Sequence, residues 1–165
     1  MLLFKYNLMY LFCELILPNI FKMPGIETYS YKKPTFPGHY FYHFTNRFGD
    51  KYEVTIGRKA HDYFHISISF GVINEEYQDE EYTLTNKGDI FRVLNTVCKI
   101  LCDYLEEHPN VHTIEYSGEA KEGEKILPSK ATSRTLVFTR FAKQYFKPPK
   151  WQFKFKDNHV FIVRK

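Results

Sequence analysis

The sequence predicts an α+β fold: a single domain in which a mainly antiparallel sheet carries two helices packed on one face, in the order βββ(β)-α-β-α-ββ. Three observations lead there. The 165 residues suit one hydrophobic core rather than two. Aromatic side chains make up 18% of the chain, thirteen Tyr and sixteen Phe among them, and flat rings favour a pleated, half-buried surface. Stretches of period-two hydrophobicity are interrupted by two stretches of helical period. With 44% hydrophobic and 25% charged residues, the chain falls outside the disordered, collagen-like and multi-span membrane classes.

Residues 1–22 are mostly apolar, but Lys5, Asn7, Glu14 and Pro18 break them up, and no run reaches the roughly 18 apolar residues of a membrane span. No small residues mark a cleavage point, so a secretory signal is not expected. Three readings stay open: Met23 is the true start, residues 1–22 are an arm that docks on a partner, or they lie on a membrane surface. Residues 23–38, with Pro24, Pro34 and Pro37, read as an irregular lead-in, and residues 39–165 as the domain itself.

Within that domain His39 to Thr45 is an aromatic strand, Asn46 to Gly49 a turn, and Asp50 to Ile56 a second strand with Tyr52, Val54 and Ile56 on one face. Tyr63 to Phe70 alternates Phe64, Ile66, Ile68 and Phe70 against His65, Ser67 and Ser69, the pattern of a sheet covered on one side. An acidic loop, Asn74 to Glu81, leads to a short optional strand at Tyr82 to Thr85. Asp89 then stands where it can cap a helix whose Ile90, Val93, Leu94, Val97, Ile100, Leu101, Tyr104 and Leu105 form an apolar stripe, ending near His108-Pro109. His112 to Tyr116 is a strand, and Ser117 to Ser129 a charged loop. Thr132 or Ser133 caps a second helix to about Tyr145, with Leu136, Val137, Arg140, Phe141, Gln144 and Tyr145 as its expected inward stripe. Pro148-Pro149 stops it, and Trp151 to Arg164 closes as a hairpin around Asp157-Asn158.

The net charge of +4 is mild, but its distribution is not. Residues 1–129 hold 13 Lys and Arg against 18 Asp and Glu, whereas residues 130–165 hold 10 against 1. The three cysteines make no disulfide framework, so a reducing, cytoplasmic setting is expected.

Three stretches, Thr85 to Val97, Ile114-Glu115-Tyr116 and Ser133 to Arg140, give the chain a likeness that covers roughly Tyr40 to Tyr145. In these the sequence resembles small α+β proteins encoded by tailed phages and bacteria, a group without an assigned reaction. The resemblance implies one α+β domain and a phage or bacterial origin, and it supplies no catalytic residues. The apolar leader and the Trp151 hairpin lie outside it.

Most chemical constellations fail on spacing. Cys98, Cys102 and His108 lack the fourth ligand a structural zinc needs, and the thiols read as core residues. His39 with His43, and His61 with His65, are four apart, which on strands is roughly 13 Å. One ion does not bridge that distance, although cross-strand pairing of His43 with His61 or His65 would bring two imidazoles together. Glu53, Asp62 and Glu115 are the carboxylates that neighbouring strands could assemble. Gly-x-Ser-x-Gly, His-Glu-x-x-His, phosphate-loop and dinucleotide-binding motifs are missing from the sequence, and no catalytic residue, metal or cofactor is expected.

Two features point to anions. Lys130, Ser133 and Arg134 gather hydroxyl, charge and free amides at the start of the second helix, as a phosphate or carboxylate would need. Beyond them Arg140, Lys143, Lys147, Lys150, Lys154 and Lys156 interleave with Phe146, Trp151 and Phe153, the mixture single-stranded nucleic acid uses. The competing reading puts Trp151 and Phe153 in the core and leaves the lysines solvated or paired with Glu75 to Glu81. The expectation is therefore a non-enzymatic interaction protein, a virion or assembly component or an accessory regulator, with a protein partner or a second copy. A nucleic-acid-binding module comes second, an enzyme of phosphate-bearing substrates third, and a membrane is not expected as partner.

Overall fold

In a computed structural model of the chain, residues 27–36, 38, 40–73, 89–120, 123–125, 127 and 129–165 are described. The apolar leader, the acidic loop Asn74 to Glu81 and the optional Tyr82 to Thr85 strand lie outside them. Among the described residues nine elements follow in order: β1 Tyr31–Lys32, β2 Phe41–Thr45, β3 Lys51–Lys59, β4 Asp62–Val72, α1 Ile90–Glu107, β5 Thr113–Tyr116, α2 Ser133–Tyr145, β6 Trp151–Lys156 and β7 His159–Arg164. The strands form one sheet in the order β1-β2-β3-β4-β5-β7-β6, antiparallel everywhere except β4 against β5. That parallel pair needs a crossover, and α1 lies in it. The α+β class and the predicted order of elements both hold.

Period-two patterning decides which side of the sheet is covered. Tyr42, Phe44, Tyr52, Val54, Ile56, Ile66, Ile68, Ile114, Tyr116, Val160 and Ile162 are buried, and the residues between them face the other side. Against the buried side α1 lays Val93, Leu94, Val97, Cys98, Ile100, Leu101 and Tyr104, all at most 2% exposed. Each such apolar side chain contributes about 1.5–3 kcal/mol on leaving water. Phe91 stacks on Phe141 with centroids 5.6 Å apart, and the Tyr145 hydroxyl donates to Asn95 Oδ1, which joins the two helices.

Three local expectations need correcting. The lead-in is not wholly irregular: Tyr31 and Lys32 pair with Phe44 and His43, and Tyr29 is buried against the Phe44 ring. Asp89 precedes α1 but makes no side-chain cap. Its carboxylate instead accepts the Tyr29 hydroxyl at 2.5 Å and faces Arg47 at 3.6 Å, so long-range partners outcompete the cap. The inward stripe of α2 is also rotated from the expected one: Thr135, Phe138, Thr139, Phe141 and Ala142 are buried, while Leu136, Val137 and Arg140 are only half-buried. Polarity misled there, because the inward threonines are satisfied by a hydrogen-bond network that no periodicity reveals.

Candidate functional site

The cationic end is organised around β6, the last strand of the sheet. Lys143, Lys147, Lys150, Lys154 and Lys156 are all exposed, and none enters an ion pair with another described residue. Lys143, in the final turn of α2, sets its ammonium 5.6 Å from the Phe153 ring centroid and 5.9 Å from that of Phe155. Those rings lie on the helix side of β6, and alternation sends Lys154 and Lys156 to the opposite side. Positive charge therefore flanks one strand from both faces. Arg140 is half-buried and engaged, and does not add to that surface.

Trp151 stands apart from the cations it was grouped with. It is 6% exposed, edge-on to Phe146 at 5.3 Å, with the Arg164 guanidinium 4.9 Å from its ring. No face of the indole is open to a base. Phe155, half-exposed, is the aromatic that reaches solvent on this strand.

The start of α2 is already filled. Thr132 accepts the Thr135 amide as the N-cap, and Glu124 Oε1 receives both the Ser133 amide at 2.9 Å and the Ser133 hydroxyl at 2.8 Å. The chain supplies its own carboxylate where a phosphate or carboxylate of a ligand was the expectation. Asn158, from the β6–β7 turn, completes the closure. Its Oδ1 accepts from the Thr132 amide at 2.8 Å and the Thr135 hydroxyl at 2.7 Å, and its Nδ2 donates to the Gly118 carbonyl at 2.7 Å. Gly118 must be glycine for this approach: a Cβ there would sit 2.7 Å from Arg134 Cβ and from the Thr135 nitrogen. Arg134 is half-buried beside it, and Lys130 lies exposed on the preceding turn.

The uncovered side of the sheet holds Glu53 and Glu115, and these two and Asp62 each have their own basic partners rather than one another. Glu53 meets His43 at 2.8 Å and Asp62 meets His112 at 3.3 Å. His43 thus pairs across to Glu53, not to His61 or His65. Glu115 collects three groups: Lys59 at 2.7 Å, His159 at 3.0 Å and His65 at 3.2 Å. Burial pushes its carboxyl up, but the Lys59 hydrogen bond and charge, the His159 hydrogen bond and the His65 charge more than cancel this and hold it below the usual range. Among the described residues no three His, Cys, Asp or Glu side chains are placed to hold a metal ion. Burial raises both described thiols, Cys102 to about 11 and Cys98 further, so neither offers a thiolate nucleophile near neutrality.

Sequence reasoning missed two groupings. Lys59 and His159 join Glu115 only because β3, β4, β5 and β7 lie in register, and nothing local signals that. Arg58 is boxed by Tyr63, Tyr40 and Tyr104 at 3.9, 5.4 and 5.9 Å, an aromatic cage filled by the chain's own cation. No protein-family model, curated protein or solved structure matches the chain. No helix among the described residues is long and apolar enough to cross a membrane.

Proposed function

We propose that this protein is a non-enzymatic interaction protein that binds an acidic polypeptide through the cationic end around β6, in a reducing cytoplasmic setting. The likeness to small phage and bacterial proteins suggests a virion, assembly or accessory regulatory role in that host. The observation that carries the reading is the set of five exposed lysines, 143, 147, 150, 154 and 156, flanking one strand without an ion-pair partner among the described residues. Gathering like charges costs self-repulsion, and an acidic partner relieves it. Glu124 on the α2 start argues against a phosphate-bearing substrate there, and the buried Trp151 argues against base stacking.

The test is a charge reversal. Lys143→Glu, Lys147→Glu and Lys150→Glu together should abolish binding to polyglutamate at low ionic strength while thermal unfolding stays near wild type, since exposed lysines contribute little to stability. Wild-type affinity should fall steeply as salt is added. Wild-type protein that binds neither polyglutamate nor oligothymidylate refutes the reading. Preference for oligothymidylate moves the function to nucleic acid.

A further inference from the structure

We propose that the outer edge of β6 receives an extended acidic segment of the partner as an added antiparallel or parallel strand, a mode that deepens the reading above and rests on it. The backbone register makes the edge available. The Lys165 amide donates to the Lys150 carbonyl at 3.0 Å, which marks that pair as hydrogen-bonded. In an antiparallel ladder such pairs alternate, so Gln152, Lys154 and Lys156 turn their amides and carbonyls toward Val163, Phe161 and His159 of β7. Phe153 and Phe155 then turn theirs outward, and no described strand lies beyond. The Trp151 amide is used locally, donating to the Lys147 carbonyl at 3.2 Å. Two consecutive outward residues of the ladder, about 7 Å apart, are the template a strand-adding peptide needs.

The side chains choose the occupant. A second copy adding its own β6 would bring lysine against lysine, and like charges facing across strands are destabilising. The lysines that guard this edge against self-pairing thereby select for acid. An incoming strand that presents Glu or Asp on the side of Lys154 and Lys156 places an apolar residue on the other side, against Phe155 and the Lys143 stem. Single-stranded nucleic acid gains less here. Lys143 already lies over both phenylalanine rings, and a nucleotide chain has no amide and carbonyl spacing to match the backbone. The opposite edge of the sheet offers no equivalent, because β1 is two residues long.

The probe is an acetylated, amidated heptapeptide alternating glutamate with valine, followed by amide hydrogen exchange on the full chain. Binding should slow exchange at Phe153 and Phe155 and leave Gln152 and Lys154, already bonded to β7, unchanged. Phe155→Pro removes one outward donor at a position where an edge strand tolerates proline, and should weaken the peptide about tenfold. Phe155→Ala keeps the amide and should weaken it less. Lys154→Glu with Lys156→Glu should reverse preference toward a lysine–valine peptide. Wild-type affinity in Phe155→Pro, with no protection at Phe153 or Phe155, overturns strand addition while leaving the cationic surface reading standing. Tighter binding of oligothymidylate than of either peptide overturns the polypeptide as occupant. Loss of all salt-sensitive binding overturns both proposals together.

Discussion

Asn158→Ala tests whether the start of α2 is a closed structural joint. Truncation removes the acceptor for the Thr132 amide and the Thr135 hydroxyl and the donor to the Gly118 carbonyl. The Gly118 carbonyl keeps the Thr132 hydroxyl at 2.8 Å, and the Thr135 hydroxyl still has the Thr132 oxygen 3.0 Å away. The Thr132 amide is left without a partner on a residue only 4% exposed. Each neutral hydrogen bond is worth about 0.5–1.5 kcal/mol, and an orphaned buried donor costs about 1–3 kcal/mol. The variant should therefore lose about 2–4 kcal/mol, which for a chain of this size is a fall in Tm of about 4–16 °C. Calorimetry and urea unfolding with an unchanged m value measure it. The control is Asp157→Asn, since Asp157 is exposed at φ 53°, a conformation Asn also tolerates, and its stability should stay within about 0.5 kcal/mol of wild type. An equally small effect for Asn158→Ala would show that water replaces the joint and that α2 is held by its apolar face alone.

Leu101→Ala, at a fully buried position of α1, should cost about 2–5 kcal/mol, whereas Lys99→Ala, exposed and losing an i,i+4 pair with Asp103, should cost about 0.5 kcal/mol; urea unfolding of both separates core from surface. The depressed Glu115 carboxyl gives stability a pH dependence with a definite sign. Its unfolded value is near 4.5 and its folded value lies lower, so the contribution is full above about pH 4.5 and is lost as pH falls through the folded value. Wild type should thus lose stability more steeply below pH 4.5 than Glu115→Gln does, and parallel curves from calorimetry would contradict the assignment.

The sheet was legible because its chemistry is local and repetitive. Alternation at Tyr52, Val54 and Ile56, and again at Ile66 and Ile68, marks the covered side without any tertiary knowledge. So does the 3.6-residue stripe of α1. The second helix was misread because its inward face is built from Thr135 and Thr139, whose burial depends on Asn158 and Tyr116 arriving from far along the chain. The cationic segment was visible as composition, but composition does not say which aromatics point inward. Trp151 and Lys154 are three residues apart on a strand and therefore face opposite sides, so they do not form one surface. Glu115 was visible as a candidate carboxylate, and its partners were not, because three separate strand pairings bring them there.

The two ends of the sheet turn the division of charge along the sequence into a division in space. At one end the edge is almost abolished. β1 contributes two residues, and its flanks are tied inward: Tyr29 is buried under Arg92, the Tyr31 hydroxyl donates to Asp103, and Lys33 pairs with Glu107 at 2.6 Å. Lys33 and Arg92 are paired with acids on that side, and a two-residue strand offers little backbone. At the other end β6 runs for six residues, pairs among the described strands only with β7, and is flanked by Lys154 and Lys156 on one face and by Lys143 of α2 on the other, with one acid, Asp157, in the adjoining turn. An exposed strand edge is a hazard to a protein that does not use it, and short edges or covering segments are the usual remedies. This chain applies the remedy to β1 and leaves β6 long, regular and charged. Like charge disfavours β6 meeting its own kind, yet it does not hide the amides and carbonyls of Phe153 and Phe155 from a strand of opposite sign. Selectivity of that kind, repulsive toward self and permissive toward acid, is the physical content of the proposed interaction surface.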